Sequence, residues 1–473
     1  MVFGLRATAL LLALCVYSPV LKAATYYVSS STGDDSGICT SVRPCRTIAR
    51  ASALATLPGD VVQVEAGVYR ERITVRNGGS EQAPITYRGH NGEGCPAANI
   101  EDRNSRGQRP APVVEMNGFA IEASHLRFEC FLVKGTAAGE LNSAFSVRAN
   151  TDNISINDNY VDGFPTPGMP WAGISLKSAL ALQNMPARVT ARRNYIRGTS
   201  YGLMIYCKSQ CLFEDNEVEE LKLADNDYSR VFGEYVTLRG NYFHGNLAVD
   251  CGGCHMDCFQ TYNIGGVDNI ARHIVIEGNT CFDTNQGLLA RDTIGPPNSS
   301  TFDSHFDWTV RNNIFAFGPV GGANMSWCAM FEHVGSIVFE HNLCYGPGLV
   351  AYGSASTAVH RYNIHYNNGW IPYTAAVNGW APAYISGGYN LTFRADGYYT
   401  PSQWPATDLV NQLPLFVAPE RRDFRPVSAS PAINRAVGST VSVDRLGVSR
   451  PQESVSDIGP YEYRRASFRS FGI

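Results

Sequence analysis

The residues best suited to chemistry cluster in the middle of the chain, at 251–260, CGGCHMDCFQ, followed by Thr261 and Tyr262. Alternation reads as a strand, with Phe259 and Thr261 on one side and Cys258, Gln260 and Tyr262 on the other. His255 and Asp257, two apart, would share the exposed side where the chain enters this strand. An imidazole held by a carboxylate is a proton-transfer group, and a nearby amide or phenol can hold a polar ligand, the role expected of Gln260 and Tyr262. These residues could instead cap a turn and bond to backbone. So dense a polar set on an exposed strand, however, has little packing to do.

More polar groups lie just upstream. Glu219, Glu220, Lys222, Asp225, Asn226 and Asp227 crowd one insertion, as a calcium or uronate site or as a solvated loop. His244 and Asp250 precede the central strand and could complete its site, while Asp257, Glu219 and Asp283 could supply the carboxylate pair a hydrolase needs. Cys251, Cys254 and Cys258 beside His255 have the look of a zinc set. The start of the chain argues against zinc. Arg6, an apolar run over 7–20 and Ala23-Ala24 form a signal peptide at residues 1–23, which implies a secreted, periplasmic or extracellular protein. Of 13 cysteines only Cys15 falls within it, and the even remainder in an oxidising compartment favours disulfides. Cys39 with Cys45, Cys207 with Cys211, Cys95 with Cys130 and Cys328 with Cys344 are plausible pairs, although connectivity is not fixed by sequence. A net charge of −4 excludes general polyanion binding, so no nucleic-acid partner is expected, and nothing downstream is long enough to span a membrane.

These groups must be positioned by a repeat. It reads ISINDNYVDG at 154–163, VTARRNYIRG at 189–198, CLFEDNEVEE at 211–220, VTLRGNYFHG at 236–245, IVIEGNTCFD at 274–283, WTVRNNIFAF at 308–317 and IVFEHNLCYG at 337–346. The aligned Asn159, Asn194, Asn216, Asn241, Asn279, Asn313 and Asn342 are spaced 35, 22, 25, 38, 34 and 29. A minimum near 22 with larger excursions marks a solenoid with loops inserted into some turns. The apolar period is two, which excludes helical repeats, and a β-propeller would repeat at longer, more even spacing. The fold class is all-β, a single-stranded right-handed parallel β-helix. Each Asn is expected at a bend, in the left-handed region that Asn tolerates, and stacked asparagines could form an internal ladder. An Ala-rich helix from Thr47 to Leu57 would cap the open end, with residues 58–60 (PGD) turning into a first strand at 61–65. Within a β-helix domain at 24–463, residues 25–90 are the cap and first coils, 125–370 the regular repeats and 420–463 a C-terminal cap. Residues 464–473 are a loose tail. Sequons stand at Asn153, Asn298, Asn324 and Asn390.

The repeats resemble those of the pectate-lyase-like β-helix superfamily. TYYVSSSTGDD at 25–35, CRTIARA at 45–51, PGDVVQVEAGVYRERITV at 58–75 and APITYRG at 83–89 resemble the N-terminal region of family 9 polysaccharide lyases. DFRPVSASPAIN at 423–434 and DIGPYEY at 457–463 resemble the closing segment of many exported β-helix proteins. That resemblance implies a calcium-binding aspartate cluster on the central strand and a catalytic lysine one coil later. Only Asp257 matches one of those aspartates, with Met256 and Gln260 where other acids would stand, and Leu289 falls near the lysine. The calcium site therefore looks dismantled, and neither a metal ligand nor a cofactor is assigned, with calcium at Asp225 and Asp227 the remaining option. Arg291 would share the outward face of Leu289, and arginine serves as the base in some other β-helix lyases. Arg291 is thus a third catalytic candidate beside His255 and Asp257, unless it is a surface residue paired with Asp292. Gln260, Lys222, Tyr262 and His244 are the substrate-binding candidates.

The expectation is a monomeric exported enzyme on an acidic polysaccharide, a lyase cleaving uronate linkages by β-elimination. A glycoside hydrolase, a uronate epimerase or a non-catalytic glycan-binding β-helix are the alternatives.

Overall fold

The structure, a computed structural model, describes residues 22–90, 95, 114–134, 143–163, 172–176, 181–222, 226–246, 256–263, 269–284, 286–292, 304–316, 327–346, 348–353, 356–368, 384–395, 397, 399 and 405–465. Most of the expected signal peptide, the tail beyond 465, His255, Cys251, Cys254, Asp225, Asp250 and two sequons (Asn298 and Asn324) lie outside these residues.

Successive turns of chain stack in register, each strand pairing in parallel with its counterpart one turn on, so that 32 strands form one continuous wound sheet. Each turn contributes to three faces. The first carries Tyr201–Cys207, the start of Ser229–Arg239, Asp257–Asn263, Gln286–Asp292 and Trp327–Glu332. The second carries Ala187–Arg192, Cys211–Glu214, the end of Ser229–Arg239, Ala271–Glu277 and His305–Arg311. The third is built of three-residue strands, among them Tyr195–Arg197, Glu217–Glu219, Tyr242–His244 and Thr280–Phe282. Inward residues such as Val218, Phe243, Phe259, Leu288 and Phe315 are fully or almost fully buried and form one core along the axis. Every parallel pairing hides backbone N–H and C=O groups that a lone turn would leave open.

The asparagine ladder runs between the second and third faces. Asn159, Asn194, Asn216, Asn241, Asn279, Asn313 and Asn342 each donate a side-chain amide to the Oδ1 of the next, at 2.9–3.2 Å. Two further rungs, Asn363 and Asn390, extend it, and Asp408 ends it. The sequon at Asn390 is therefore closed to glycosylation, its side chain being a fully buried rung. The left-handed turn residue is not the ladder Asn, as expected above, but its predecessor: Asp158, Arg193, Asp215, Gly240, Gly278, Asn312 and His341 have φ of 51–67°. The rung needs its amide turned inward, so the neighbour with an outward side chain takes the strained backbone.

The helix is Ile48–Leu54, shorter than the expected span, and capped by Thr47, whose side chain accepts from the Arg50 N–H. The Glu71 carboxylate accepts from the N–H groups of Ile48 and Ala49, closing two further free donors at the positive end of the helix. The chain after 405 does not simply cover the last turn. After a bridge to Leu391 it runs back along the outside of the third face, where Phe424, Ala432, Ala436 and Ile458 pack on Phe282, Ile314, Leu343 and Ile364. It reaches as far as Arg422, which contacts Tyr242 and Asp283.

Among the described residues five disulfides are present, including all four of the pairs proposed from sequence. The fifth, Cys258–Cys281, joins first-face and third-face strands across the core, as Cys328–Cys344 does two turns later. Cys258 is thereby removed from the zinc set suggested by its spacing. Among the described residues no helix is long and apolar enough to cross a membrane.

Candidate functional site

Two rows of side chains cross the outside of the first face. One runs Met204, Arg230, Gln260, Leu289, Met330 and Ala351 in strand register. The other runs Tyr206, Phe232, Tyr262, Arg291 and Glu332, its first three rings in contact at centroid distances of 4.7 and 5.4 Å. Strand alternation puts both rows outward while Phe259, Thr261, Leu288 and Ala290 point in.

Asp257 sits at the head of its strand and is fully buried. Its backbone N–H donates to Asp227 Oδ1 at 2.9 Å, and its Oδ2 accepts from Gln260 Nε2 at 2.8 Å. Gln260 Oε1 is buried without a hydrogen-bond partner among the described residues. Arg230, beside Gln260, donates to Asp227 at 2.5 Å and to the Tyr262 hydroxyl at 3.3 Å, and lies over the rings of Tyr201 and Tyr262. Burial works against its charge, yet the Asp227 carboxylate outweighs this and holds the guanidinium above its ordinary value. Burial and the neighbouring Tyr262 push the Tyr206 hydroxyl up to about 12, so it stays a neutral donor. Arg291 Nε pairs with Glu332 at 2.6 Å, from the following turn, and not with the adjacent Asp292. Its side chain remains 46% exposed, and Glu332 is buried beneath it. Leu289, Met330, Ala351 and the partly buried Trp327 form an apolar patch alongside, with Trp327 Nε1 donating to Gln286.

The expected site residues thus divide. Asp257, Gln260, Tyr262 and Arg291 share this face. Lys222 does not join them, being exposed and 3.6 Å from Glu220. His244 lies on the third face against Glu217 and Glu219, which also takes Glu219 away from any carboxylate pair with Asp257. Asp283 is engaged by Arg422. The carboxylate that does accompany Asp257 is Asp227, whose Oδ1 accepts from its backbone N–H. Glu332 stands in register with Arg291 and Tyr262, five residues further along the strand. Arg230 and Glu332 went unassigned from sequence because their strands carry no dense polar motif, and register alone brings them onto this face.

A family model of the right handed beta helix region matches residues 172–368. XylC, solved as a complex with xylose, superposes with a TM-score of 0.58 at 12% identity, covering 93% of this chain and 98% of that one. The fold is a right-handed parallel β-helix. Pectate lyase Pel9A covers 93% of this β-helix at 13% identity and a TM-score of 0.40. The uncharacterized protein YwoF of Bacillus subtilis (strain 168) is 27% identical over 141 residues, 30% of this chain. That match spans only 29% of YwoF.

Proposed function

We propose that this β-helix is an exported enzyme that binds a polysaccharide along the outside of its first face and cleaves uronate linkages by β-elimination. The observation that carries the reading is the pair of partly exposed rings Tyr206 and Tyr262, with the buried Phe232 between them, running into the exposed Arg291, beside a Gln260 amide oxygen that has no partner among the described residues. Aromatic faces stack on sugar rings, a fixed guanidinium binds a carboxylate through a planar fork, and an idle amide acceptor suits a sugar hydroxyl. β-Elimination removes the C5 proton of a uronate and expels the C4 oxygen, so it needs a base and a cation at the substrate carboxylate. Arg291, already an ionic donor to Glu332, takes the cation's role and not the base's. His255, the base expected from the sequence, lies outside the described residues. The five disulfides fit the oxidising compartment that export would provide.

Hydrolysis is the second reading, favoured by the adjacent carboxylates Asp227 and Asp257. It is weaker because a hydrolase needs one carboxyl protonated, while Asp227 is paired with an arginine. Incubation with uronate polymers and neutral glycans separates the readings. Ultraviolet absorbance from an unsaturated uronate supports elimination, and new reducing ends without it support hydrolysis. Neither product across the panel contradicts an enzymatic role.

A further inference from the structure

On the third face, away from the proposed sugar site, Glu217 and Glu219 project outward two residues apart, and His244 sits on the next strand in register with Glu219. All three are at most 5% exposed. His244 Nε2 lies 2.8 Å from Glu217 Oε1 and 3.5 Å from Glu219 Oε2, and the three ligating atoms fall within 4.8 Å of one another. The surround holds them in place. The Tyr195 hydroxyl donates to Glu219, and the Tyr242 ring stacks on the His244 ring at 4.0 Å. Arg422 donates to the Tyr242 hydroxyl at 2.5 Å.

Charge makes this more than a packed polar group. Two carboxylates are removed from water, and among the described residues no lysine or arginine pairs with either of them. Among the described residues the one basic side chain beside them is the imidazole, a single group against two carboxylates. Burying an uncompensated charge costs several kcal/mol, so two buried carboxylates converging on one imidazole call for a further cation. The spacing fits one. Four-coordinate ligands at about 2.0–2.2 Å from an ion lie about 3.3–3.6 Å apart, which the 3.5 Å separation of His244 and Glu219 matches and the 2.8 Å contact of His244 with Glu217 would reach by opening slightly. An imidazole among the ligands disfavours calcium and magnesium and suits a first-row transition ion.

We propose that Glu217, Glu219 and His244 form a binding site for a divalent transition ion of the zinc class, with a fourth position left open. The ion ties the strands Glu217–Glu219 and Tyr242–His244 together beneath the returning C-terminal segment. The site is independent of the sugar-binding face and does not rest on the proposed reaction.

The test uses the full exported chain, stripped with a chelator and then titrated separately with Zn²⁺ and Co²⁺. Expected are one equivalent of Zn²⁺ per chain and a rise in melting temperature on adding it. Co²⁺ should give a visible ligand-field spectrum without the sulfur-to-cobalt band that a cysteine site would show. Glu217→Gln and Glu219→Gln should each weaken Zn²⁺ binding by about tenfold or more while the metal-free far-ultraviolet circular dichroism stays that of wild type. A wild-type chain that shows no Zn²⁺-dependent rise in melting and no Co²⁺ spectrum overturns the proposal, whatever the variants do. So does a sulfur-to-cobalt band, or undiminished binding by both folded variants.

Discussion

Replacing Asn241 by Ala probes what holds the turns together. Asn241 Oδ1 accepts from the backbone N–H and the side-chain amide of Asn216, and its own amide donates to Phe213 O and Asn279 Oδ1. Removing the side chain breaks all four bonds. Asn279 Oδ1 keeps the Asn241 backbone N–H, and the Asn216 amide keeps Ala191 O. The Asn216 N–H and the Phe213 carbonyl lose these partners in the dry interior. At about 1–3 kcal/mol for each orphaned buried group, the loss should be about 4 kcal/mol. Arg239→Ala is the control. It removes a half-exposed guanidinium that bridges Glu214 and Glu277, and should cost under about 1 kcal/mol. Urea titration of both variants by circular dichroism, disulfides intact, reads the difference as a shift in midpoint. A shift for Asn241→Ala no larger than that for Arg239→Ala would refute the reasoning that the ladder is a main source of stability.

Asp408, the last rung, has its carboxyl pushed up to about 6 by burial. Because the folded value lies above the unfolded one, its stabilising contribution is present below pH 4 and lost as pH rises through 6. Asp408→Asn should therefore raise stability at pH 7 by about 3 kcal/mol, and an unchanged urea midpoint would contradict this. His305 and His365 are held neutral by burial, at about 3 and about 4, so their contribution is present above pH 6.5 and falls as pH drops toward those values. Burial holds His341 and His360 neutral as well. In the Asp408→Asn background the four histidines should outweigh Asp457, whose raised carboxyl works the other way, so the urea midpoint should be lower at pH 4.5 than at pH 7, and a flat profile would contradict this. Thiol titration of the denatured, unreduced mature chain should find no more than two free groups, since ten of its twelve cysteines are paired. Finding six or more would contradict the pairing.

The architecture was legible because a ladder asparagine must recur once per turn, flanked by alternating apolar residues. The signal faded at Asn363 and Asn390, where RYNIHY and GYNLTF lack the full flanking pattern, and those rungs emerged only in the structure. The site was legible in one strand only. Asp227, Asp257, Gln260 and Tyr262 announce themselves by density, whereas Arg230 and Glu332 depend on which residues stand side by side one or two turns away. Loop insertions of variable length hide that register. The Glu217, Glu219 and His244 cluster was within reach, for aligning the repeats on their asparagines places Glu219 and His244 at the same third position. His244 was instead assigned to the neighbouring strand because it is near in sequence. The pairing of Arg291 with Glu332 and not Asp292 has the same cause: adjacent residues of a strand point to opposite faces, and the partner comes from the next turn.

Arg291 as the cation that binds a substrate carboxylate is the central assignment on this face. Arg291→Ala alone would leave Glu332 buried and unpaired, so the informative protein is Arg291→Ala with Glu332→Gln. On whichever uronate polymer yields unsaturated product, its kcat/KM should fall by about 10²-fold or more, with melting within a few degrees of wild type. Undiminished turnover by the folded double variant would contradict the assignment of this face as the catalytic site.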